Sequence, residues 1–409
     1  MKVLLVLERL WPLLGGLQRH VYSLARYLSE TGYEVSILTS HNCSAFQPRR
    51  VSKKIKIFPK LKAFKKHTPA LRTLWDSMNV VCNVRRFCEE FDIIHYHTAS
   101  FLFPTPRKPA VQTLHLHAAC ILGDRVTDPC DRPSSSRCTV CHINRNLAHA
   151  PIAPLVAGYC SFYYRLAGWS LMRCHKVICE TDYVKRAAIK GFGLSNAIKI
   201  PNFVDINGEI EPAIDPNFDM EGYLGVPEAA STITFFGRLV HQKGVDTLIA
   251  ALKLVLKNHS DKVYVIIGGD GPQKPILEKM AKSVGNIIFI GVPTRNIQFN
   301  LMAQSDIFIY PSRAPESCPT AILEAMALGL PIIATGIDWS SELIEENQGG
   351  FLIRPNSPRR MANRIESILK DEEFKLKAGE YNKRKSKEFD IKTIGPQIVD
   401  VYKEAVLPG

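Results

Sequence analysis

The sequence predicts an α/β protein of two parallel-sheet domains. Three observations carry this. The chain has 409 residues, enough for two domains that each bury a full core. Its hydrophobic fraction of 46% is that of a globular protein. Short apolar runs alternate with segments of helical period along its length.

The elements follow in order. Residues 1–9 open with an apolar run that reads as a buried strand ending near Glu8. The Glu8-Arg9 pair comes too early for the apolar core of a signal peptide. A loop through Gly15-Gly16 leads into a helix with Leu17, Val21, Leu24, Ala25 and Leu28 at helical spacing. Further strands are expected at Glu34–Thr39, Ile93–His97, Ala110–Leu114 and Lys176–Cys179. The second domain opens at Ile233–Phe236 and repeats the alternation through about residue 385, before a helix at Ile391–Tyr402. The division places one domain at 1–203 and the other at 204–390. No uncharged apolar run reaches the roughly 18 residues of a membrane span. A ligand site is expected at the carboxyl ends of the strands, between the domains.

Charge is unevenly placed. Residues 1–200 carry 29 Lys and Arg against 12 Asp and Glu, a net of +17, whereas residues 201–409 are slightly acidic. The first half is therefore the side expected to meet an anionic partner. Within it, Lys53, Lys54, Lys56, Lys60, Lys62, Lys65 and Lys66 alternate with Ile55, Ile57, Phe58, Leu61 and Phe64. That composition suits an anionic membrane surface or a phosphate backbone, and equally a solvated face. No nucleic-acid-binding motif is visible, so no nucleic acid is expected. The stretch from Pro151 to Met172 is apolar and aromatic, and reads either as an interfacial helix or as a core helix of the first domain.

The most informative segment runs from Pro315 to Pro331. It sets Glu316 and Glu324 eight apart around the start of an apolar helix. A glutamate inside Ala-Ile-Leu-Glu-Ala-Met-Ala is costly to desolvate without donors, and sugar or ribose hydroxyls are such donors. Pro319 suits the first helical position, so the helix is expected to begin beside Cys318, leaving Glu316 and Ser317 in the loop. Free amides there attract a phosphate. Two helix-surface glutamates would give the same bare spacing. At Gly15-Gly16 the order strand, glycines, helix makes Gly16 a candidate phosphate contact, with an ordinary turn as the alternative. Arg238 and Lys243 stand in a loop between a strand and a helix, where they are either surface cations or partners of a ligand's charge. His115 closes a strand and is a candidate hydrogen-bond partner in the site, although a lone histidine is more often structural.

Eleven cysteines without a secretory signal suggest a reducing compartment. Cys120, Cys130, Cys138 and Cys141 fall in one segment, the last two at C-x2-C spacing. A structural zinc, with His142 able to replace one thiol, competes there with free thiols.

The segment from Pro315 to Pro331 with Glu342 resembles the donor-site signature of retaining GT-B glycosyltransferases of the family-4 type (glycosyl transferases group 1). Phe236-Gly237-Arg238-Leu239 with Lys243-Gly244, Ile267–Pro272 and Ser305–Ser312 resemble family blocks in the same order. The resemblance implies the GT-B architecture: two Rossmann-like domains, acceptor-side first and donor-binding second, facing a deep cleft, with the segment from about 391 to 409 packing back on the first. It implies transfer of a hexosyl group from a nucleoside-diphosphate sugar, UDP- or GDP-linked, with retention and without a metal. The acceptor would be lipid-linked or otherwise anionic, at the cytoplasmic face of a membrane. Glu316, Arg238, Lys243 and His115 take the catalytic positions. Gly16, Ser317, Cys318 and Glu324, with Arg238, Lys243 and Glu316, take the donor-binding ones: Glu316 on sugar hydroxyls, Glu324 on ribose, the cations on the diphosphate. The chain departs from the pattern at Phe203, where glycine is usual, and before Glu342, where a glycine pair is missing. Alternatives from other classes are a basic membrane- or nucleic-acid-binding protein and a GT-B-like nucleotide-sugar epimerase. A basic run does not explain Glu316, Glu324, Arg238 and Lys243 together.

Overall fold

A computed structural model describes residues 1–7, 15–40, 55–61, 69–97, 108–115, 134–145, 151–257, 263–337 and 339–407. The first sheet contains β1 (Lys2–Val6), β2 (Glu34–Ser40), β3 (Ile55–Leu61), β4 (Ile93–Tyr96), β5 (Ala110–Leu114), β6 (Lys176–Cys179) and β7 (Ala197–Lys199). Their order is β3-β2-β1-β4-β5-β6-β7, and every adjacent pair is parallel. The second contains β8 (Ser231–Phe236), β9 (Val263–Gly268), β10 (Ile287–Gly291), β11 (Ile307–Tyr310), β12 (Ile332–Thr335) and β13 (Gly350–Ile353). It is also parallel throughout, in the order β10-β9-β8-β11-β12-β13.

Parallel strands need crossovers, and the crossover helices cover both faces, so the strands are apolar at successive positions rather than alternate ones. Val3, Leu4, Leu5 and Val6 show this, all fully buried. Leu4 and Val6 point into one core layer, Val3 and Leu5 into the other. The second sheet is sandwiched in the same way.

In each sheet the strand order reverses once, between β1 and β4 and between β8 and β11. Crossovers leave on opposite faces at such a point and open a crevice beyond the carboxyl ends. The segments after β4, β8 and β11 carry His97, then Arg238 and Lys243, then Glu316. Topology alone therefore brings these residues to the crevices.

Tight backbone contacts fix the loop after β8. Gly237 N donates to Gly268 O at 3.0 Å and Leu239 N to Asp270 O at 2.8 Å, which joins it to the loop after β9. Gly269 sits at φ +145°, and a Cβ there would overlap the Gly237 carbonyl oxygen. Gly244, at φ +67°, ends the short 3-10 turn His241–Lys243 and faces the Pro311 carbonyl oxygen with no room for a side chain. Only glycine meets both demands.

The last helix, Ile391–Val406, returns to the first sheet. Ile391, Ile394, Ile398 and Tyr402 join the layer of Val3, Leu5 and Leu24. The chain crosses back at Val204, whose N–H donates to Phe389 O at 3.0 Å and whose carbonyl accepts from Ile391 N at 2.8 Å.

The apolar segment after Pro151 forms the helix Ala153–Met172, one side of which belongs to the core of the first domain. Val156, Cys160, Tyr163, Tyr164, Ala167 and Leu171 enter the core. Leu155, Phe162, Trp169 and Met172 stay exposed on the other side. Of the lysine run, Lys56 and Lys60 are exposed on β3, at the edge of the sheet. Lysine on an edge strand also discourages pairing with another chain. Lys53, Lys54, Lys62, Lys65 and Lys66 lie outside the described residues. Among the described residues, no helix is long and apolar enough to cross a membrane.

Candidate active site

The loop between β11 and the helix Thr320–Ala327 carries Glu316. The helix begins one residue later than the sequence suggests: Pro319 flanks it at φ −66°, ψ 117° instead of occupying its first turn. Glu316 Oε1 accepts from Lys243 Nζ at 2.6 Å and from Ser312 Oγ at 2.8 Å. Lys243 also donates to the Tyr310 hydroxyl and lies 4.8 Å from that ring's centre. Burial pushes the Glu316 carboxyl up, but the Lys243 charge and the hydrogen bonds from Lys243, Ser312 and Tyr310 outweigh it and hold the group below its usual range. Burial, with the Glu316 charge beside it, holds the Tyr310 phenol well above its usual range, so Tyr310 remains a neutral donor. Arg238 is exposed at the same strand end, and its charge is felt at Tyr310. The expected trio of Glu316, Lys243 and Arg238 is thus together.

Arg313, which sequence reasoning passed over, clamps this loop to its neighbour. Its guanidinium donates to Asp246 Oδ2 at 2.6 Å, Thr247 Oγ1 at 2.9 Å and the His241 carbonyl at 2.9 Å, and also to Asn356. The turn that presents Lys243 is thereby tied to the loop that presents Glu316.

Glu324 is 1% exposed, and its desolvation is met within the protein. Arg295 Nη2 donates to Oε1 at 2.9 Å, Gln298 Nε2 to Oε2 at 2.8 Å, and Arg19 reaches Oε1 at 3.5 Å. Its burial therefore does not by itself call for a ligand, contrary to the argument from the apolar run. Each carboxylate oxygen still has a second lone pair for a hydroxyl.

Arg19 lies in the helix Gly16–Glu30 of the first half, so its contact with Glu324 spans the two sheets. Gly16 begins that helix and faces the start of the helix Thr320–Ala327: a Cβ on Gly16 would come within 3.3 Å of Thr320 Oγ1. Two helix N-termini, each with free amides and partial positive charge, confront one another across the cleft.

Ser317 and Cys318 are committed to the opposite wall. The Ser317 hydroxyl donates to the His115 carbonyl at 2.7 Å and also meets Glu180 Oε2. The Cys318 carbonyl accepts from Asn202 Nδ2 at 2.8 Å. Burial above all, then the nearby Glu180 charge, raises the Cys318 thiol well above its usual range and makes it inert. Glu342 is an interdomain strut: its carboxylate accepts from the Asp182 and Tyr183 amides at 3.0 and 3.2 Å and pairs with Lys199 at 2.7 Å.

His115 has both ring nitrogens engaged. Nδ1 meets Glu180 Oε1 at 2.7 Å, and Nε2 meets His97 Nδ1 at 2.9 Å. His20 packs 4.5 Å from the His115 ring, its Nδ1 bonded to Asn202 Oδ1 at 2.7 Å, with Phe203 against its face at 4.3 Å. Phe203, the departure from the family pattern, is thus a wall of this histidine cluster. Burial first, then neighbouring imidazoles, holds His20, His95 and His97 well below the usual imidazole range, so they are neutral. Glu180 and His97 carried no local signal, whereas His20 follows Gly16 by one helical turn and was open to that reading.

Cys138 and Cys141 share the helix Ser135–Arg145, where Cys138 is buried and its sulfur meets the Tyr164 hydroxyl at 3.0 Å. Among the described residues no third His, Cys, Asp or Glu completes a metal-ligating group with them. Cys120 and Cys130 lie outside the described residues, as does the side chain of His142.

Comparison with known proteins decides the family. The profile described as "Glycosyl transferases group 1" matches residues 221–385, and that described as "Glycosyltransferase Family 4" matches residues 14–207. The chain belongs to the GT-B glycosyltransferases of the family-4 type. Phosphatidyl-myo-inositol mannosyltransferase of Mycolicibacterium smegmatis is 25% identical over 394 residues, 95% of this chain and 90% of the relative. The Escherichia coli UDP-Gal:alpha-D-GlcNAc-diphosphoundecaprenol alpha-1,3-galactosyltransferase is 30% identical over 214 residues, 51% of this chain and 54% of the relative. The fold of Anabaena HepE, solved in complex with UDP-glucose, superposes with a TM-score of 0.71 at 22% identity, covering 99% of this chain and 100% of that one. The two parallel sheets of this glycosyltransferase are the GT-B architecture, its last helix packed on the first sheet.

Proposed function

We propose that this glycosyltransferase moves a hexosyl group from a UDP- or GDP-linked sugar to a lipid-linked or otherwise anionic acceptor, with retention at the anomeric carbon and without a metal on the diphosphate. The observation that carries the reading is the Lys243–Glu316 pair at 2.6 Å, beside Arg238 and at the mouth formed by the two helix N-termini. Two of the ammonium's three hydrogens go to Glu316 and Tyr310, which leaves one for a phosphate oxygen. Arg238 adds a second cation where leaving-group charge develops. Glu316, kept ionised, accepts from sugar hydroxyls. Glu324 offers its remaining lone pairs to the ribose, and the amides at Gly16, Ser317 and Cys318 face the phosphates. His115 serves the sugar by exchanging its Nε2 bond to His97 for a hydroxyl. No carboxylate nucleophile is required, because the acceptor enters on the leaving-group face and a diphosphate oxygen takes its proton, so positioning and electrostatics carry the rate. With an α-linked donor, proton NMR of the product is expected to show an α linkage; a β linkage would rule out the retaining reading.

The names of two relatives include a phosphatidylinositol and a diphosphoundecaprenol, which supports a lipid-linked acceptor. The exposed side of the helix Ala153–Met172 suits contact with such a lipid. Leu155, Phe162 and Trp169, one heptad apart, are 72, 53 and 48% exposed, with Arg165 among them and Arg173 stacked on Trp169 at 5.6 Å. Apolar residues flanked by arginine suit the interface of an anionic leaflet, here the cytoplasmic one. The protein is expected to float with phosphatidylglycerol vesicles at low salt, and Phe162→Glu with Trp169→Glu to stay behind. Equal flotation of both proteins would contradict the assignment of this helix.

A further inference from the structure

We propose that His20, His97 and His115 form a site for a divalent transition metal of the zinc class. All three belong to the first domain, one on the helix Gly16–Glu30 and two just beyond β4 and β5. One ligand nitrogen from each lies within 4.8 Å of the others. The site goes beyond the proposed transfer reaction and needs none of the diphosphate-binding residues.

The hydrogen-bond accounting points to a cation. His115 Nδ1 is held by Glu180 at 2.7 Å and His20 Nδ1 by Asn202 Oδ1 at 2.7 Å, so the acceptor on each side fixes the ring proton and turns the Nε2 lone pair inward. A carboxyl or amide oxygen behind the ligating imidazole is the usual support of a metal-bound histidine. Among the described residues, the only partner of His115 Nε2 is His97 Nδ1, at 2.9 Å, and Nε2 of both His20 and His97 is buried without a hydrogen-bond partner. His20 is 3% exposed and His97 0%. Each orphaned group costs about 1–3 kcal/mol, which a bound cation would offset. Burial above all keeps the His20 and His97 rings neutral, as metal ligation requires. Three imidazoles suit zinc, cobalt or nickel, and a tetrahedral site would settle their nitrogens about 3.3 Å apart, replacing the His97–His115 bond. Ser317 and Cys318 of the other domain close over the cluster, so parting of the domains is the way in. A bound ion would take the Nε2 lone pair of His115 from the sugar and is inhibitory; that consequence rests on the proposed function, whereas the site does not.

The test is titration of the untagged full-length protein with Co²⁺, read by its visible absorption. The expected result is one equivalent bound with ligand-field bands and no thiolate charge transfer. His20→Ala and His97→Ala are expected to weaken binding by more than about 100-fold, and Asn202→Ala, which frees a ligand without removing it, by about 10–100-fold. Anomalous scattering from zinc-soaked crystals of the unsubstituted protein locates the ion without relying on any variant. Absence of uptake, thiolate charge transfer that assigns the metal to cysteines such as Cys141, or an anomalous peak away from the three histidines would overturn the proposal.

Discussion

Glu316→Gln is expected to lower turnover by about 100- to 1,000-fold while changing affinity for the nucleotide sugar much less. Glutamine keeps the size and hydrogen-bonding shape but removes the charge that Lys243, Ser312 and Tyr310 stabilise. Loss of one preorganised electrostatic group at a reacting centre costs about 3–4 kcal/mol of barrier. Ground-state binding is expected to survive because the proposed reading gives the phosphates to Arg238, Lys243 and the helix amides. The fold survives too, because Glu316 is 21% exposed and none of its hydrogen bonds crosses between the sheets. The check is steady-state release of nucleotide, with kcat and KM for the donor read separately. Turnover within a few-fold of the unsubstituted enzyme would remove Glu316 from the reaction.

Glu180→Ala is expected to reduce kcat by about 10- to 100-fold, the cost typical of losing the group that orients a working side chain. Glu180 is 2% exposed and joins the halves of the protein, one carboxyl oxygen on His115 Nδ1 and the other on Ser317. Alanine leaves the His115 ring free to turn and Ser317 without one of its two partners. Glu180→Gln keeps an oxygen for Nδ1 and is expected to restore most of the rate. A positioning role shows as that rescue, with KM for the donor little changed; a merely structural role lowers stability in both variants and leaves kcat per folded molecule intact.

Much of this was open to reading in the sequence, for one physical reason. In a parallel sheet each strand hands its chain to a loop at the same edge, so residues just after apolar runs converge whatever their separation. Glu316, Lys243 and Arg238 meet for that reason, 73 residues apart at the hydrogen bond between the first two. The partners that hold them were not legible. Arg313 reaches Asp246 across 67 residues and Glu180 reaches Ser317 across 137, with no periodicity to announce either pair. Glu324 shows the converse: its place in an apolar helix calls for donors, and Arg295, Gln298 and Arg19 supply them from within the protein. The helix Ala153–Met172 is apolar all round, so its pattern alone does not say which side packs; the structure buries one side in the core and leaves the other exposed. Pro319 marks the start of its helix to within one residue, the usual margin at such ends.

The cleft is expected to bind a nucleotide sugar through Arg238 and its neighbours. Calorimetric titration with UDP-, GDP- and ADP-linked sugars tests it most directly. Selective binding of one nucleotide is expected, weakened about 10- to 100-fold in Arg238→Ala, the worth of a charge-assisted hydrogen bond to phosphate. A folded protein that binds none of the three, or binds one equally well without Arg238, would contradict the account.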